Sequence, residues 1–184
     1  MPSLDQALTS LVPLDDAERT DLARVRALLA SSDPWTRASV LHVTGSALVF
    51  HPPSDRVLLR WHERQQNWLQ VGGHADPGET DPLTIALREA GEETGLPDLV
   101  PWPEAAQPRP IQLVIVPVPP GKGEPAHEHA DLRYVLATRR PNEVTPESPS
   151  ARLRWLSLDE ALDFVREDNL RECLARLAEL RQTS

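Results

Sequence analysis

The chain has 184 residues, a formal net charge of −9 and 40% hydrophobic residues, which predicts one core with at most a small appendage. The acidic balance excludes a nucleic-acid binder built on a basic stripe and favours a small anionic substrate held with metal ions. The single cysteine, Cys173, excludes an intramolecular disulfide and is typical of a reducing compartment.

Targeting and membrane signals are missing from the printed sequence. No apolar run reaches about 18 residues, and no basic start precedes an apolar segment. We therefore expect a cytoplasmic protein, monomeric or homodimeric, that binds neither a membrane nor nucleic acid.

The first part of the chain is predicted to be helical. Leucines recur at helical spacing up to Leu29, and the stretch 31–34, which ends in Asp33 and Pro34, closes this segment. We interpret residues 1–34 as a helical extension and residues 35–184 as the main domain.

Strands and helices then alternate along the main domain. Runs typical of strands lie at 38–50, 56–61, 68–71, 111–118, 131–138 and 152–156. The runs at 111–118 and 131–138 form a predicted hairpin with a long tip. A capping box at 157–160 leads towards a C-terminal helix whose apolar stripe includes Cys173, so we interpret this thiol as a core residue. This order predicts an α/β fold with a mixed sheet between helices.

A helix in the middle of the domain carries an unusual concentration of carboxylates. Asp81 and Pro82 form a predicted N-cap and first residue, and Gly95 is a C-terminal stop. Within this helix, the acidic residues stand at i, i+3 and i+4 and share one face: Glu89, Glu92 and Glu93. The like charges repel one another and also oppose the helix dipole, so a bound divalent cation would stabilise them. Ligands that are all oxygen favour Mg²⁺ or Mn²⁺ over zinc.

This segment, residues 73–96, resembles the Nudix box, Gly-x5-Glu-x7-Arg-Glu-U-x-Glu-Glu-x-Gly-U, in which U is aliphatic. The matching residues are Gly73, Glu79, Arg88, Glu89, Glu92, Glu93, Gly95 and Leu96. Eight residues instead of seven separate Glu79 from Arg88. Because the helical phase from Asp81 onward is intact, we expect the extra residue in the loop near Thr80.

The resemblance implies a Nudix-like α/β/α sandwich and a metal-dependent hydrolase of a diphosphate linkage in a nucleoside diphosphate joined to another group. It implies Glu89, Glu92, Glu93 and the Gly73 carbonyl as metal ligands, with Glu89 able to act as a base. Arg88 and Glu79 complete the implied catalytic set as a pair that fixes the loop over the helix. The substrate stays open among ADP-ribose, dinucleotide polyphosphates, sugar nucleotides and modified nucleoside triphosphates.

A second polar group lies in the later hairpin. If strand geometry already holds there, one face carries His127, His129, Asp131 and Arg133. We expect His127, His129 and Asp131 to face the carboxylate helix. The histidines and Arg133 are candidates for binding substrate phosphate, the histidines also for proton transfer, and Asp131 is a candidate substrate-binding residue and metal ligand. The alternative interpretation is an exposed polar edge strand. Glu147 is a further candidate for the general base.

The sequence leaves three alternatives to the hydrolase. The acidic residues could form a solvated helix face, as isolated acidic clusters usually do. A catalytically silent Nudix domain could bind or sense a nucleotide metabolite. An isomerase on the same fold would need a cysteine in its site, whereas Cys173 lies on an apolar helical stripe.

Overall fold

The computed structural model describes residues 3–121 and 123–183, which form five α-helices and eight strands. The helices are α1 (Leu4–Ser10), α2 (Asp16–Ser31), α3 (Pro82–Thr94), α4 (Leu158–Phe164) and α5 (Asp168–Gln182). The strands are β1 (Leu41–His51), β2 (Arg56–His62), β3 (Asn67–Leu69), β4 (Val71–His74), β5 (Val100–Pro101), β6 (Gln112–Val118), β7 (His127–Ala137) and β8 (Leu153–Ser157).

All eight strands belong to one mixed sheet. Its main path runs β3-β2-β1-β7-β5, while β4 pairs with β1, β6 with β7 and β8 with β2. Only the central pair β1 and β7 is parallel, and β6 with β7 forms the predicted antiparallel hairpin. The predicted mixed sheet is confirmed.

The two faces of the sheet pack against different helices. One core contains Leu8, Val25 and Ala86 from α1, α2 and α3 together with Leu132 of β7. The other core contains residues of α4 and α5 packed against Leu48 of β1 and its neighbours. The predicted α/β/α arrangement is therefore confirmed, and side chains alternate between the two cores along β1 and β7.

Helix α3 has the boundaries that the sequence predicts. The Asp81 side chain accepts a hydrogen bond from the Leu83 N–H at 3.1 Å, Pro82 lies in the first turn, and Gly95 closes the helix with φ of 65°. The extra residue of the motif consequently lies in the loop before Asp81, and the phase of the helical carboxylates is undisturbed.

The start of β7 differs from the prediction. We expected this strand from residue 131, but it begins at His127, because its first residues continue the ladders with both β1 and β6. The histidines thus belong to the sheet and not to the hairpin tip. Cys173 of α5 is fully buried in the core, as predicted.

Helices α1 and α2 share the core of the sheet. A single buried carboxylate, Glu18, joins α2 to two distant elements: it accepts hydrogen bonds from the Leu113 N–H at 2.9 Å and from the Arg176 guanidinium at 2.8 Å. Its other oxygen accepts from the Leu14 N–H at 3.0 Å. The division into an extension at 1–34 and a domain at 35–184 stays a prediction.

Over the described residues, none of the helices combines the length and apolar character that crossing a membrane requires.

Replacement of Glu18 by alanine is expected to destabilise the protein by about 3 to 5 kcal/mol, because Arg176 would keep a buried charge without its partner. Urea unfolding measures this change. Glu172→Ala, at an exposed position of α5, is the matched control and should stay within about 0.5 kcal/mol of wild type. Equal effects of the two substitutions would contradict the buried role of Glu18.

Candidate active site

The carboxylates of α3 converge on strand β4. Glu93 is buried, and one of its oxygens accepts a hydrogen bond from the Gly72 N–H at 3.2 Å. The Glu89 carboxylate lies against Gly73, whereas Glu92 is more exposed. Glu89 and Glu93 therefore point to the same side of the helix, as the spacing predicts.

Only glycine leaves room for this approach. A Cβ atom added to Gly73 would lie 2.4 Å from an oxygen of Glu89, and one added to Gly72 would lie 2.3 Å from the Ser46 Cβ. Gly72 also has a φ of 149°, which side-chain-bearing residues rarely adopt. The paired glycines thus bring backbone against the carboxylates and form a cradle suited to a hard cation.

Arg88 holds this cradle together. Its guanidinium donates to Glu79 at 3.0 Å and to the His74 carbonyl oxygen at 2.8 Å, which fixes the loop over the helix. It also pairs with Glu89 at 3.0 Å and with Glu92 at 3.1 Å. The Arg88 hydrogen bond holds the pKa of Glu79 below its ordinary value. The loop insertion therefore leaves Glu79 within reach of Arg88.

Arg60 of β2 forms an ion pair with Glu93, as Arg88 does with Glu89 and Glu92. Its Nε lies 3.3 Å from Glu93, and the same guanidinium pairs with Glu147. Burial nevertheless raises the pKa of Glu93 to about 7, and the neighbouring charges of Glu89 and Glu147 add to this effect. Glu147, a candidate base, is thus linked to Glu93 through the guanidinium of Arg60.

A polar cleft of about 250 Å³ begins on the other side of the paired glycines. Its floor is Asp131, which accepts hydrogen bonds from Thr44 at 3.0 Å, Ser46 at 2.8 Å and Gln70 at 3.1 Å. Arg133 adds a fourth bond at 2.9 Å. The floor is consequently rigid, charged and largely prearranged before any ligand binds.

The prediction that His127, His129 and Asp131 face α3 is wrong. Their strand alternates, and Leu132 and its apolar neighbours occupy the α3 side, while Asp131 lies on the cleft side. The physical reason is that the apolar residues of β7 are needed beneath α3, which leaves the polar residues for the opposite face. The glycine strand β4 contacts the α3 carboxylates and also lines the cleft that contains Asp131 and His129.

The edge-strand interpretation of this segment is also wrong, since β7 pairs with β1 on one side and with β6 on the other. His129 lines the cleft, whereas His127 lines a small neighbouring cavity of about 70 Å³. His129 contacts the rings of His42 and His74, and His127 stacks on His42. Burial lowers the pKa of His74 to about 4 and that of His129 to about 3, so these imidazoles are neutral at physiological pH.

Sequence reasoning missed several residues of the site. Arg60 and His42 come from β2 and β1, which carry no recognisable motif of their own, Gln70 lies between β3 and β4, and His74 occupies a variable position of the segment 73–96. The signal that was available lies in the strand pattern: once β1 is paired with β7, residues on one face of both strands must be neighbours.

Another cavity of about 390 Å³ lies between Leu11, Trp102 and Leu180 and contains none of the α3 carboxylates. We therefore place the candidate active site at the glycine strand β4 and not in this cavity.

Comparison with known proteins agrees with this geometry. Residues 41–177 match the model of the NUDIX domain. The chain belongs to the NUDIX family. The predicted family and fold are thereby confirmed.

Two relatives have assigned activities. The chain is 31% identical over 148 residues to a probable DHNTP pyrophosphohydrolase of Lactococcus lactis subsp. cremoris, covering 76% of this chain and 80% of that protein. It is 27% identical over 175 residues to an 8-oxo-(d)GTP phosphatase of Mycolicibacterium smegmatis, covering 90% of this chain. The match spans about half of that second protein, 48% of its length.

Among solved structures, the dihydroneopterin triphosphate pyrophosphohydrolase of E. coli aligns with a TM-score of 0.55 at 17% identity. The alignment covers 73% of this chain and 92% of that one. At this identity, the likeness concerns the fold alone.

Gly73→Ala is expected to fold but to bind Mg²⁺ about 10- to 100-fold more weakly, because the new Cβ displaces the Glu89 carboxylate. Calorimetric titration measures the affinity. Gly91→Ala on α3 is the matched control: its Cβ meets nothing within 4 Å, and it should stabilise the helix by roughly 0.5 to 1 kcal/mol. Unchanged Mg²⁺ affinity in Gly73→Ala would contradict the cradle.

Glu93 gives the metal-free protein a defined pH dependence. Because the folded-state pKa is raised from 4.5 to about 7, this group favours the folded state most below pH 4.5, and the benefit is lost as the pH rises towards 7. Glu93→Gln does not titrate, so its stability relative to wild type should increase over this window by on the order of 3 kcal/mol. Urea unfolding in EDTA at several pH values measures it. If the free energies of unfolding of wild type and Glu93→Gln changed in parallel with pH, Glu93 would have an ordinary pKa and the prediction would be contradicted.

Proposed function

We propose that this chain hydrolyses a phosphoanhydride bond in a triphosphate of a pterin or purine nucleotide, with Mg²⁺ or Mn²⁺ as cofactor. The observation that carries the proposal is the contact between the α3 carboxylates and the paired glycines, directly beside a polar cleft. The carboxylates and glycines would therefore hold the cations that neutralise the phosphates, and the adjacent cleft would bind the heterocycle of the same substrate.

The donor set fits a hard divalent cation. Glu89, Glu92 and Glu93 offer carboxylate oxygens, and the glycine cradle allows the Gly73 carbonyl to approach them. When bound, ions of this kind neutralise diphosphate oxygens and lower the pKa of the attacking water. We assign the three glutamates and Gly73 as the residues that would hold them.

The chain's own residues supply position and proton transfer. Arg88 and Glu79 act as positioning residues, because their pair fixes the loop that carries Gly73 over α3. Glu89 and Glu147 are the candidates for accepting the proton of the attacking water. Glu147 is linked to the site through Arg60, whose guanidinium also pairs with Glu93.

The cleft floor suits a heterocycle rich in N–H groups. The Gln70 Oε1 atom is buried and lacks a hydrogen-bond partner within the described residues, while its amide nitrogen is fixed on Asp131. Pterin and guanine rings both present amino and amide N–H donors, which match such an acceptor. The names of the relatives, a DHNTP pyrophosphohydrolase and an 8-oxo-(d)GTP phosphatase, support the same substrate class.

The roles of Asp131 and Arg133 in substrate binding belong to this proposal, since both line the cleft. We also propose a cytoplasmic location, supported by a composition with one cysteine, which lies buried in the core.

A substrate panel tests the proposal. Dihydroneopterin triphosphate, 8-oxo-dGTP, a dinucleoside tetraphosphate, ADP-ribose and a sugar nucleotide are incubated with the protein and Mg²⁺ or Mn²⁺. The nucleotide products are then separated by anion-exchange chromatography, which detects cleavage of every compound, and phosphate released from the triphosphates is measured with and without added inorganic pyrophosphatase. We expect the two triphosphates to be the best substrates, and a signal that needs pyrophosphatase identifies cleavage between the α and β phosphorus atoms.

Glu92→Gln is the matched variant and should reduce turnover by at least about 100-fold, since it removes a carboxylate from the ion-holding set. Gly91→Ala should keep full turnover. Binding of these nucleotides without any turnover would overturn the proposal in favour of a silent sensor, and preferred hydrolysis of ADP-ribose would overturn the substrate class.

A further inference from the structure

Four histidines gather on the cleft side of the sheet, away from α3. They come from three adjacent strands: His42 from β1, His74 from β4, and His127 and His129 from β7. The register places His42 beside His129 and pairs His74 with Thr44, two residues further along β1. Strand pairing therefore brings together side chains that lie up to 87 positions apart in the printed sequence.

Their ring nitrogens converge on one small volume. The His129 Nε2 atom lies 3.1 Å from the Nε2 of His74 and 3.1 Å from the Nε2 of His127. His42, His74 and His129 each offer one nitrogen within 4.8 Å of the others. The centroids of the His42 and His129 rings are 4.9 Å apart.

Hydrogen bonds among the four rings cannot account for both close contacts of the His129 Nε2 atom. A neutral imidazole nitrogen carries either one proton or one lone pair, so His129 Nε2 cannot form a well-aligned hydrogen bond to both neighbours at once. One of the two 3.1 Å contacts is consequently left without a proton in good position, although both are close enough for a hydrogen bond.

Backbone carbonyl groups fix the tautomer of two of the rings. His42 Nδ1 lies 3.2 Å from the Ser39 carbonyl oxygen, and His127 Nδ1 lies 2.9 Å from that of Pro125. A carbonyl only accepts, so each Nδ1 carries the proton and each Nε2 presents a lone pair. The His42 side chain is 2% exposed, and its Nε2 has no hydrogen-bond partner among the described residues.

We propose that His42, His74, His127 and His129 bind a transition-metal ion of the zinc class. A ring N–H donated to a backbone carbonyl, with the other nitrogen left free, is the usual support for a metal-binding histidine. Tetrahedral zinc with bonds of about 2.0 to 2.1 Å would separate its ligands by roughly 3.4 Å. The nitrogens of His42, His74 and His129 lie within 4.8 Å of one another, and His127 Nε2 lies 3.1 Å from that of His129, so ring rotations would complete the shell.

This site is distinct from the carboxylate site. Glu89, Glu92 and Glu93 offer oxygen to a hard cation on the α3 side, whereas the histidines offer nitrogen on the opposite side, and nitrogen favours zinc, cobalt, nickel or copper. The two sites are joined through β4, because His74 directly follows Gly73. An ion on the histidines would fix the end of this strand and, with it, the edge of the cleft. The inference does not depend on the proposed hydrolysis.

Cobalt(II) is the probe that separates the two sites. The full chain is freed of metal with a chelator, supplied with excess Mg²⁺ to occupy the carboxylates, and titrated with Co²⁺. Tetrahedral cobalt on nitrogen absorbs strongly in the visible range, whereas octahedral cobalt on oxygen absorbs weakly. We expect strong absorption that saturates at one equivalent and disappears on addition of one equivalent of Zn²⁺.

Variants assign the ligands. His42→Gln and His129→Gln should each weaken cobalt binding by at least about 100-fold, above the usual effect of losing a supporting residue. His51→Gln is the matched control, because His51 contacts Ser54 outside the cluster. Glu93→Gln should keep the cobalt signal while losing its Mg²⁺ response, so failure at one site is distinguishable from failure at the other.

No saturable tetrahedral signal in the wild-type protein would overturn the proposal, whether or not the variants fold. Retention of the signal in both His42→Gln and His129→Gln would overturn it as well.

Discussion

The dominant constraint on this structure is the packing of like charges at the end of α3. Glu89, Glu92 and Glu93 stand within one helical turn, and Glu93 is largely removed from water. Such an arrangement persists because arginines lie on both sides: Arg88 pairs with Glu89 and Glu92, and Arg60 pairs with Glu93. Much of the surrounding fold keeps these five side chains together, including the capped start of α3 and the glycine strand opposite it.

That constraint also explains why the site has two unequal sides. Helix α3 needs apolar residues beneath it, so Leu132 and its neighbours on β7 face the helix. Polar residues of the same strands are then left on the other face, where Asp131 organises a cleft floor through Thr44, Ser46 and Gln70. Gly72 and Gly73 connect the two sides, because the lack of side chains lets α3 and the cleft approach the same short strand.

Local sequence carried much of this information. The boundaries of α3, the loop position of the extra residue and the shared direction of Glu89 and Glu93 all follow from helical phase and capping, which act within a few residues. What local patterns do not contain is which strands become neighbours. Alternation indicated that His127, His129 and Asp131 share a face, but assigning that face needed the pairing of β7 with β1. For the same reason, neither Arg60 nor His42 could be placed in the site beforehand.

The central claim is that the α3 carboxylates hold a divalent cation in the folded protein. The most direct measurement is the melting temperature in EDTA and in Mg²⁺ for wild type, Glu93→Gln and the exposed-site control Glu172→Gln. At about 100 times the dissociation constant, Mg²⁺ should raise the melting temperature of wild type and of the control by roughly 5 to 10 °C. Glu93→Gln should lose most of this shift. An equal Mg²⁺ shift in all three proteins would contradict the assignment.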